Sequence, residues 1–196
     1  MRPTKLLAVL LVAISLAGCV SITSAPAGKY SVVKTYDVTL GQQWSDITVL
    51  FAKSKNVRIL SVDGPLLNRL YLAAGLSPGQ YMVRPVRKEL PTPTVKADMS
   101  ATERIEFVSD SVAALDYQRV ETSRPRPAKF GEADAVRFDL TAKTSEGLDI
   151  KGTAVVAEVG GKLHLILFLA PAEHYFQKDL AEVERLMASA RVTTTG

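Results

Sequence analysis

The stretch from Ala133 to Val192 constrains the fold more than any other, because its hydrophobic period changes once, at a proline. In Asp134–Lys143 the apolar Val136, Phe138 and Leu140 alternate with Arg137, Asp139 and Thr141, the period of a half-buried strand. Thr144–Gly147 is a turn cluster. Leu148–Val159 resumes the alternation, and Gly160-Gly161 supplies the positive φ that a two-residue hairpin turn needs. Lys162–Ala170 is almost continuously apolar, as a strand covered on both faces must be. Pro171 ends that run. Beyond it Phe176, Leu180, Val183, Met187 and Ala190 recur at helical spacing. Three antiparallel strands followed by a helix laid back on them are the expected nucleus of a domain.

The N-terminus carries an address. Arg2 and Lys5 form a charged region, and Leu6–Leu16 is an apolar run of signal-peptide length, too short for the ~20 residues of a membrane span. Leu16-Ala17-Gly18-Cys19 resembles the bacterial lipobox, whose cysteine is acylated with palmitate-type chains after cleavage just before it. The resemblance implies a signal peptide over 1–18, lipidation at Cys19, a tether over 19–29 and a single α+β domain over 30–196. Several acyl chains make an anchor that one chain does not. Val20, in place of the aspartate that retains Gram-negative lipoproteins at the inner membrane, points to the outer membrane, facing the periplasm. Cys19 is the only cysteine, so the domain has no disulfide, thiolate nucleophile or thiolate metal site.

Removing 18 residues from 196 leaves 178, the size of one domain, and takes two of the 24 basic residues with it. The remaining 22 face 20 acidic residues, which gives no electrostatic footprint for nucleic acid. Tyr30–Leu40 reads as one strand. Gln43–Phe51 fits a strand better than a helix. Asn56–Val62 and Asn68–Ala74 read as strands across the Asp63-Gly64-Pro65 turn, although the second also fits a helical face. Prolines 78, 85, 91 and 93 make Leu76–Lys96 a long surface excursion. Asp98–Leu115 is a helix opened by the capping-box spacing of Ser100 and Glu103. Tyr117–Thr122 reads as a strand, and Ser123–Phe130 as a proline-containing loop.

This order predicts an α+β domain, a mostly antiparallel sheet with helices packed on it. Phe130-Gly131, Val136–Leu140, Gly161-Lys162-Leu163, Ala170-Pro171 and His174-Tyr175-Phe176 resemble a group of uncharacterised proteobacterial lipoproteins. The element order is similar to the PsbP/Mog1-like α/β/α sandwich. PsbP-type proteins serve photosystem assembly and Mog1-type proteins bind a small GTPase, but no functional residue of either maps onto a position here.

Gly75-Leu76-Ser77-Pro78-Gly79 matches the form of a nucleophile elbow, but Pro78 has no N–H to donate to an oxyanion, so it reads as a turn. His164 alternates with Ile166 and Phe168 and reads as a packed histidine. His174 and Tyr175 stand where the last helix starts, whose free N–H groups can hold an anion. Two histidines without a spaced carboxylate cluster predict no metal, and no cofactor motif is present. Arg84, Arg87 and Lys88, with Arg124, Arg126 and Lys129, lie in two proline-containing segments. If they converge they form a cationic patch for an acidic envelope protein or anionic lipid. As exposed charges, Arg124 and Arg126 are expected to contribute little to stability. Three function classes stay open: a non-catalytic lipoprotein that binds or assembles another envelope component, a carrier of an apolar ligand or lipid, and a hydrolase with dispersed catalytic residues. The first is preferred because no constellation supports the other two.

Overall fold

The computed structural model describes residues 22–52 and 54–193, so Cys19 and the signal segment lie outside the described residues. The elements in chain order are β1 (Thr23–Ala25), β2 (Gly28–Val32), β3 (Tyr36–Leu40), β4 (Trp44–Asp46), α1 (Thr48–Phe51), β5 (Val57–Ser61), β6 (Arg69–Leu76), α2 (Ala101–Ala114), β7 (Gln118–Phe130), β8 (Ala133–Lys143), β9 (Asp149–Val159), β10 (Lys162–Pro171), α3 (Tyr175–Ser189) and β11 (Arg191–Val192). Eight strands form one antiparallel sheet in the order β1-β4-β5-β6-β10-β9-β8-β7, and β11-β3-β2 form a second, smaller sheet.

The large sheet is covered on both faces, and its central strand β10 shows how. Leu163, Leu165, Leu167 and Leu169 point to one side, into a core shared with Phe107, Val108 and Val112 of α2. Ile166, Phe168 and Ala170 point to the other, into a core shared with Val183, Leu186 and Met187 of α3 and with Val32, Tyr36 and Val38 of the small sheet. Period-two geometry sends alternate residues to opposite faces, so a strand apolar at nearly every position needs two partners. The chain is an α+β protein of mostly antiparallel sheet with helices packed on it.

The helix expected over Asp98–Leu115 forms as Ala101–Ala114. The Ser100 hydroxyl accepts from the Glu103 N–H and the Glu103 carboxylate accepts from the Ser100 N–H. Val108 and Val112 are buried; Ile105 and Leu115 pack at the margin. Of the long excursion, Met82, Val83 and Val95 are buried against the same core. It is therefore part of the lid over that face, and not surface alone. The turn reading of Ser77-Pro78-Gly79 holds: the Gln80 N–H donates to the Ser77 carbonyl at 2.9 Å.

Three expectations are corrected in the N-terminal third. Tyr30–Leu40 is a hairpin, not one strand. Val33 and Lys34 take φ of 53° and 57°, and the Thr35 N–H closes the turn on the Val32 carbonyl at 3.0 Å. Residues 43–51 divide into a three-residue strand and one turn of helix. The tether expected over 19–29 ends early, because Thr23 already pairs with Asp46 and Ala25 with Trp44. A primed hairpin turn favours Asn or Gly at both central positions, and left-handed φ costs an ordinary residue about 1 kcal/mol. Lys34→Gly, at an exposed position, is therefore expected to raise the midpoint of urea unfolding by the equivalent of roughly 0.5–1 kcal/mol; a lower midpoint would show that the turn does not have this geometry.

Candidate functional site

The segment read as a proline-containing loop, Ser123–Phe130, belongs to the edge strand β7, hydrogen-bonded to β8 alone. The prolines fit because an edge strand has one unpaired side. Pro125 and Pro127 also remove N–H donors, and register shifts at Gln118/Glu121 and Ser123/Arg126 interrupt the ladder. Both devices protect an exposed edge from strand addition.

Two clefts flank this edge. One, of about 390 Å³, lies against the start of α2 and is walled by Ala101, Pro125, Pro127, Ala135 and Val136, with Arg104 and Asp134 as polar positions. The other, of about 320 Å³, lies against the end of α3 and is lined by Lys129, Arg137 and Arg191 together with Glu184, which pairs with Arg137 at 2.7 Å. Sequence reasoning selected Lys129 but missed Arg104, Arg137 and Arg191. They belong to three different elements, and only packing places them beside one edge.

The six cations expected to form one patch do not meet in one place. Val86 N–H donates to the carbonyl of Ala114, at the C-terminal end of α2, which places Arg84, Arg87 and Lys88 there. Arg126 lines the cleft beside Ala101, at the N-terminal end. At 1.5 Å per residue the two groups stand about 20 Å apart along the helix. Arg87 pairs with Asp116 at 2.7 Å, and the Arg84 Nε donates to the Tyr81 hydroxyl at 2.7 Å. Lys129 pairs with Asp134 at 2.7 Å.

Arg124 and Arg126 converge on a single carboxylate. The Arg124 Nε lies 2.8 Å from Asp139 Oδ2, while Arg126 reaches both Asp139 oxygens, at 3.2 Å and 3.4 Å. The Asp139 side chain is only 13% exposed. Truncating both arginines would strand a largely buried carboxylate, whose lost partners matter more than those of an exposed charge. The expectation that these arginines are dispensable for stability is corrected accordingly.

The start of the last helix is unlike the one expected. Pro171 closes β10, and α3 begins only at Tyr175. His174 takes φ 63° and ψ −66°, and the Tyr175 N–H donates back to the Glu173 carbonyl at 2.8 Å, which is a γ-turn of the strained hand. The His174 side chain makes no capping hydrogen bond and meets Tyr175 edge to face at 5.0 Å. His164 is buried between Tyr36 and Phe130, 6.0 Å from each ring centroid. Burial, helped by Lys162, holds its imidazole down to about 4, so it is neutral at physiological pH.

A polar network also escaped the sequence reading. Asn68, in the turn before β6, donates to Asp63 Oδ2 at 2.9 Å and to Asp179 Oδ2 of α3 at 3.0 Å. Its own oxygen accepts from the Ser61 hydroxyl at 2.9 Å and the Val62 N–H at 3.0 Å. Lys178 pairs with the other Asp63 oxygen. Asp179 is 3% exposed, and burial first, then hydrogen bonding and repulsion from Asp63, pushes its carboxyl up to about 6. The network fastens the β5–β6 turn to α3 and saturates its own donors, which is the arrangement of a structural clasp. Among the described residues, no three His, Cys, Asp or Glu side chains are grouped as metal ligands.

No protein-family model matches the sequence, and no curated protein matches it. Solved structures do. Cyanobacterial PsbP (CyanoP) from Synechocystis sp. PCC 6803 superposes with a TM-score of 0.53 at 17% identity, covering 92% of this chain and 99% of its own. A protein from Bacteroides thetaiotaomicron VPI-5482 gives 0.50 at 11% identity, over 88% of this chain but only 50% of its own. LpqN of Mycobacterium tuberculosis, involved in cell envelope biogenesis, gives 0.37 at 11% identity over 91% of this chain and 87% of its own. At these identities the likeness speaks for architecture alone. The chain has a PsbP-like fold.

Proposed function

We propose that this chain is a lipid-anchored bacterial envelope protein, held at the outer membrane by acylated Cys19, that acts without catalysis by binding an acidic segment of another envelope protein along the β7 edge. The observation that carries the reading is the pair of clefts flanking one strand whose backbone is blocked from pairing. Arg104 and Arg191 stand along that edge with no ion pair among the described residues, beside Arg124, Lys129 and Arg137, which pair with Asp139, Asp134 and Glu184; arginine pairs with carboxylates through a planar fork. The apolar wall formed by Pro125, Pro127 and Val136 gives a partner side chain somewhere to lose its water. Both faces of the large sheet are filled by packed side chains, which favours recognition at the surface over carriage of a ligand inside.

A photo-crosslinking residue placed at Ala101 or at Ala188, one in each cleft, tests this in living envelopes. A discrete protein adduct is expected from both sites and from neither when the residue is placed at Glu146. Arg104→Glu should weaken the Ala188 adduct, as should added salt, because Arg104 takes part in no ion pair among the described residues. Arg124 and Arg126 are the poorer probes because of Asp139. No adduct, or the same adducts from Glu146, would remove the β7 edge as the binding site. An adduct with lipid alone would transfer the reading to anionic headgroups.

A further inference from the structure

We infer that the opposite edge of the sheet, formed by β1 and α1, lies in the headgroup layer of the bilayer that holds the anchor, with Ile22, Val49, Leu50 and Phe51 as its contact. This rests on the lipid-anchor reading above. The helical turn α1 buries none of its residues. Its three consecutive apolar side chains, Val49, Leu50 and Phe51, are 58%, 43% and 39% exposed, and Ile22 is 50% exposed. Single exposed apolar residues are ordinary, but four at one corner mark a surface that meets something other than water.

Strand pairing puts them at one corner. Thr23 is opposite Asp46 in the β1–β4 ladder, so the chain running back through Ile22 passes the level of Ile47, just before α1 begins. Only Val20 and Ser21 separate Cys19 from Ile22. Three Cα steps span at most about 11 Å. The headgroup region of one leaflet is itself roughly 5–7 Å thick. A domain whose edge begins that close to its acyl chains cannot stand clear of the surface.

The chemistry of the corner suits that position. Arg69 lays its guanidinium 4.4 Å over the Phe51 ring, and Arg58 donates to the carbonyls of Lys55 and Val57 at 3.3 Å and 3.0 Å. None of Lys55, Arg58 and Arg69 has an acidic partner among the described residues. Asp46, the acidic group at this corner, is already engaged by the Thr48 N–H at 2.9 Å and the Tyr30 hydroxyl at 3.2 Å. Exposed apolar side chains with cations that lack acidic partners near them are the composition of an interfacial contact with phospholipid. The β7 edge lies seven strand spacings away, roughly 34 Å across the sheet, and so projects from the membrane toward a partner.

In the acylated protein Cys19 is blocked, so an introduced cysteine is the only free thiol. The full chain carrying Val49→Cys or Glu132→Cys, labelled with an environment-sensitive fluorophore, is reconstituted in phosphatidylcholine vesicles containing one quarter phosphatidylglycerol and a doxyl-labelled lipid. Both positions are exposed, and Glu132 lies in the turn between β7 and β8. The label at position 49 is expected to be quenched several-fold more strongly than the label at 132. Equal quenching in a protein whose intact mass shows acylated Cys19 overturns this inference and leaves the anchor reading standing. Unmodified Cys19 overturns both. A position 49 shielded from aqueous iodide in native envelopes but unquenched in vesicles identifies a protein interface, and also overturns it.

Discussion

Leu165→Ala is expected to cost about 2–5 kcal/mol of folding stability, read as a lower midpoint of urea unfolding with an unchanged slope. Leu165 is fully buried at the centre of the large sheet, opposite Val156 of β9 on one side and Ala73 of β6 on the other. Its side chain belongs to the core beneath α2, while its carbonyl accepts from the Tyr36 hydroxyl, 3.2 Å away on the other face. Neighbours held by two ladders cannot collapse into the space a leucine leaves, so the cavity adds to the lost transfer energy. Ile105→Ala, at the margin of the same core, should cost clearly less. A loss below about 1 kcal/mol for Leu165→Ala would mean that the sheet is not packed on both faces.

Asp179→Asn is expected to stabilise the protein at neutral pH by roughly 2–3 kcal/mol and to turn its shallow response to mild acid into a steady loss. The Asp179 carboxyl in the folded state titrates at about 6, above the 3.8 of a free aspartate. The folded protein therefore holds a proton that the unfolded chain has released. The contribution of this group is fully present below the lower value and is lost as pH rises through the upper one. His164 acts oppositely. Its folded value of about 4 lies below the ordinary 6.5, so its contribution is present above 6.5 and is lost as pH falls toward 4. In the wild type the two effects oppose each other between about 4 and 6 and leave a shallow profile. An asparagine can accept from Asn68 and donate to Asp63 without a buried charge. It removes the first effect and exposes the second, so the variant should lose stability steadily from about pH 6.5 to 4. Urea titrations across that range check it. A stability difference from wild type that does not vary with pH would show that Asp179 does not carry the shifted proton.

The elements legible in the sequence were those specified by residues close to one another. The alternation in β8 and β9, the Gly160-Gly161 turn and the nearly unbroken apolar run of β10 each reflect an environment repeated along a few residues. The capping box of Ser100 and Glu103 is likewise closed within one turn of helix. The errors began where local signals were absent or ambiguous. Val33-Lys34 has no turn chemistry, so the β2–β3 hairpin looked like one strand; it exists because Tyr36, Val38 and Leu40 find α3 to pack on. Pro125 and Pro127 argue against a central strand, and nothing local distinguishes a loop from an edge strand, which needs only one neighbour.

Charge was still less legible, because a charge takes its meaning from its partner. By itself the sequence determined that the chain carries cations in two proline-containing stretches and a lipobox-like cysteine. Only the tertiary structure decided that Arg124 and Arg126 share Asp139, that Arg104, Arg137 and Arg191 stand beside the same edge, and that Asn68 reaches Asp179 across 111 positions of chain. Sheet register and helix placement, which the two hydrophobic cores hold, bring such groups together. Periodicity records which face of an element is buried, and carries no information about which distant side chain will lie across from it.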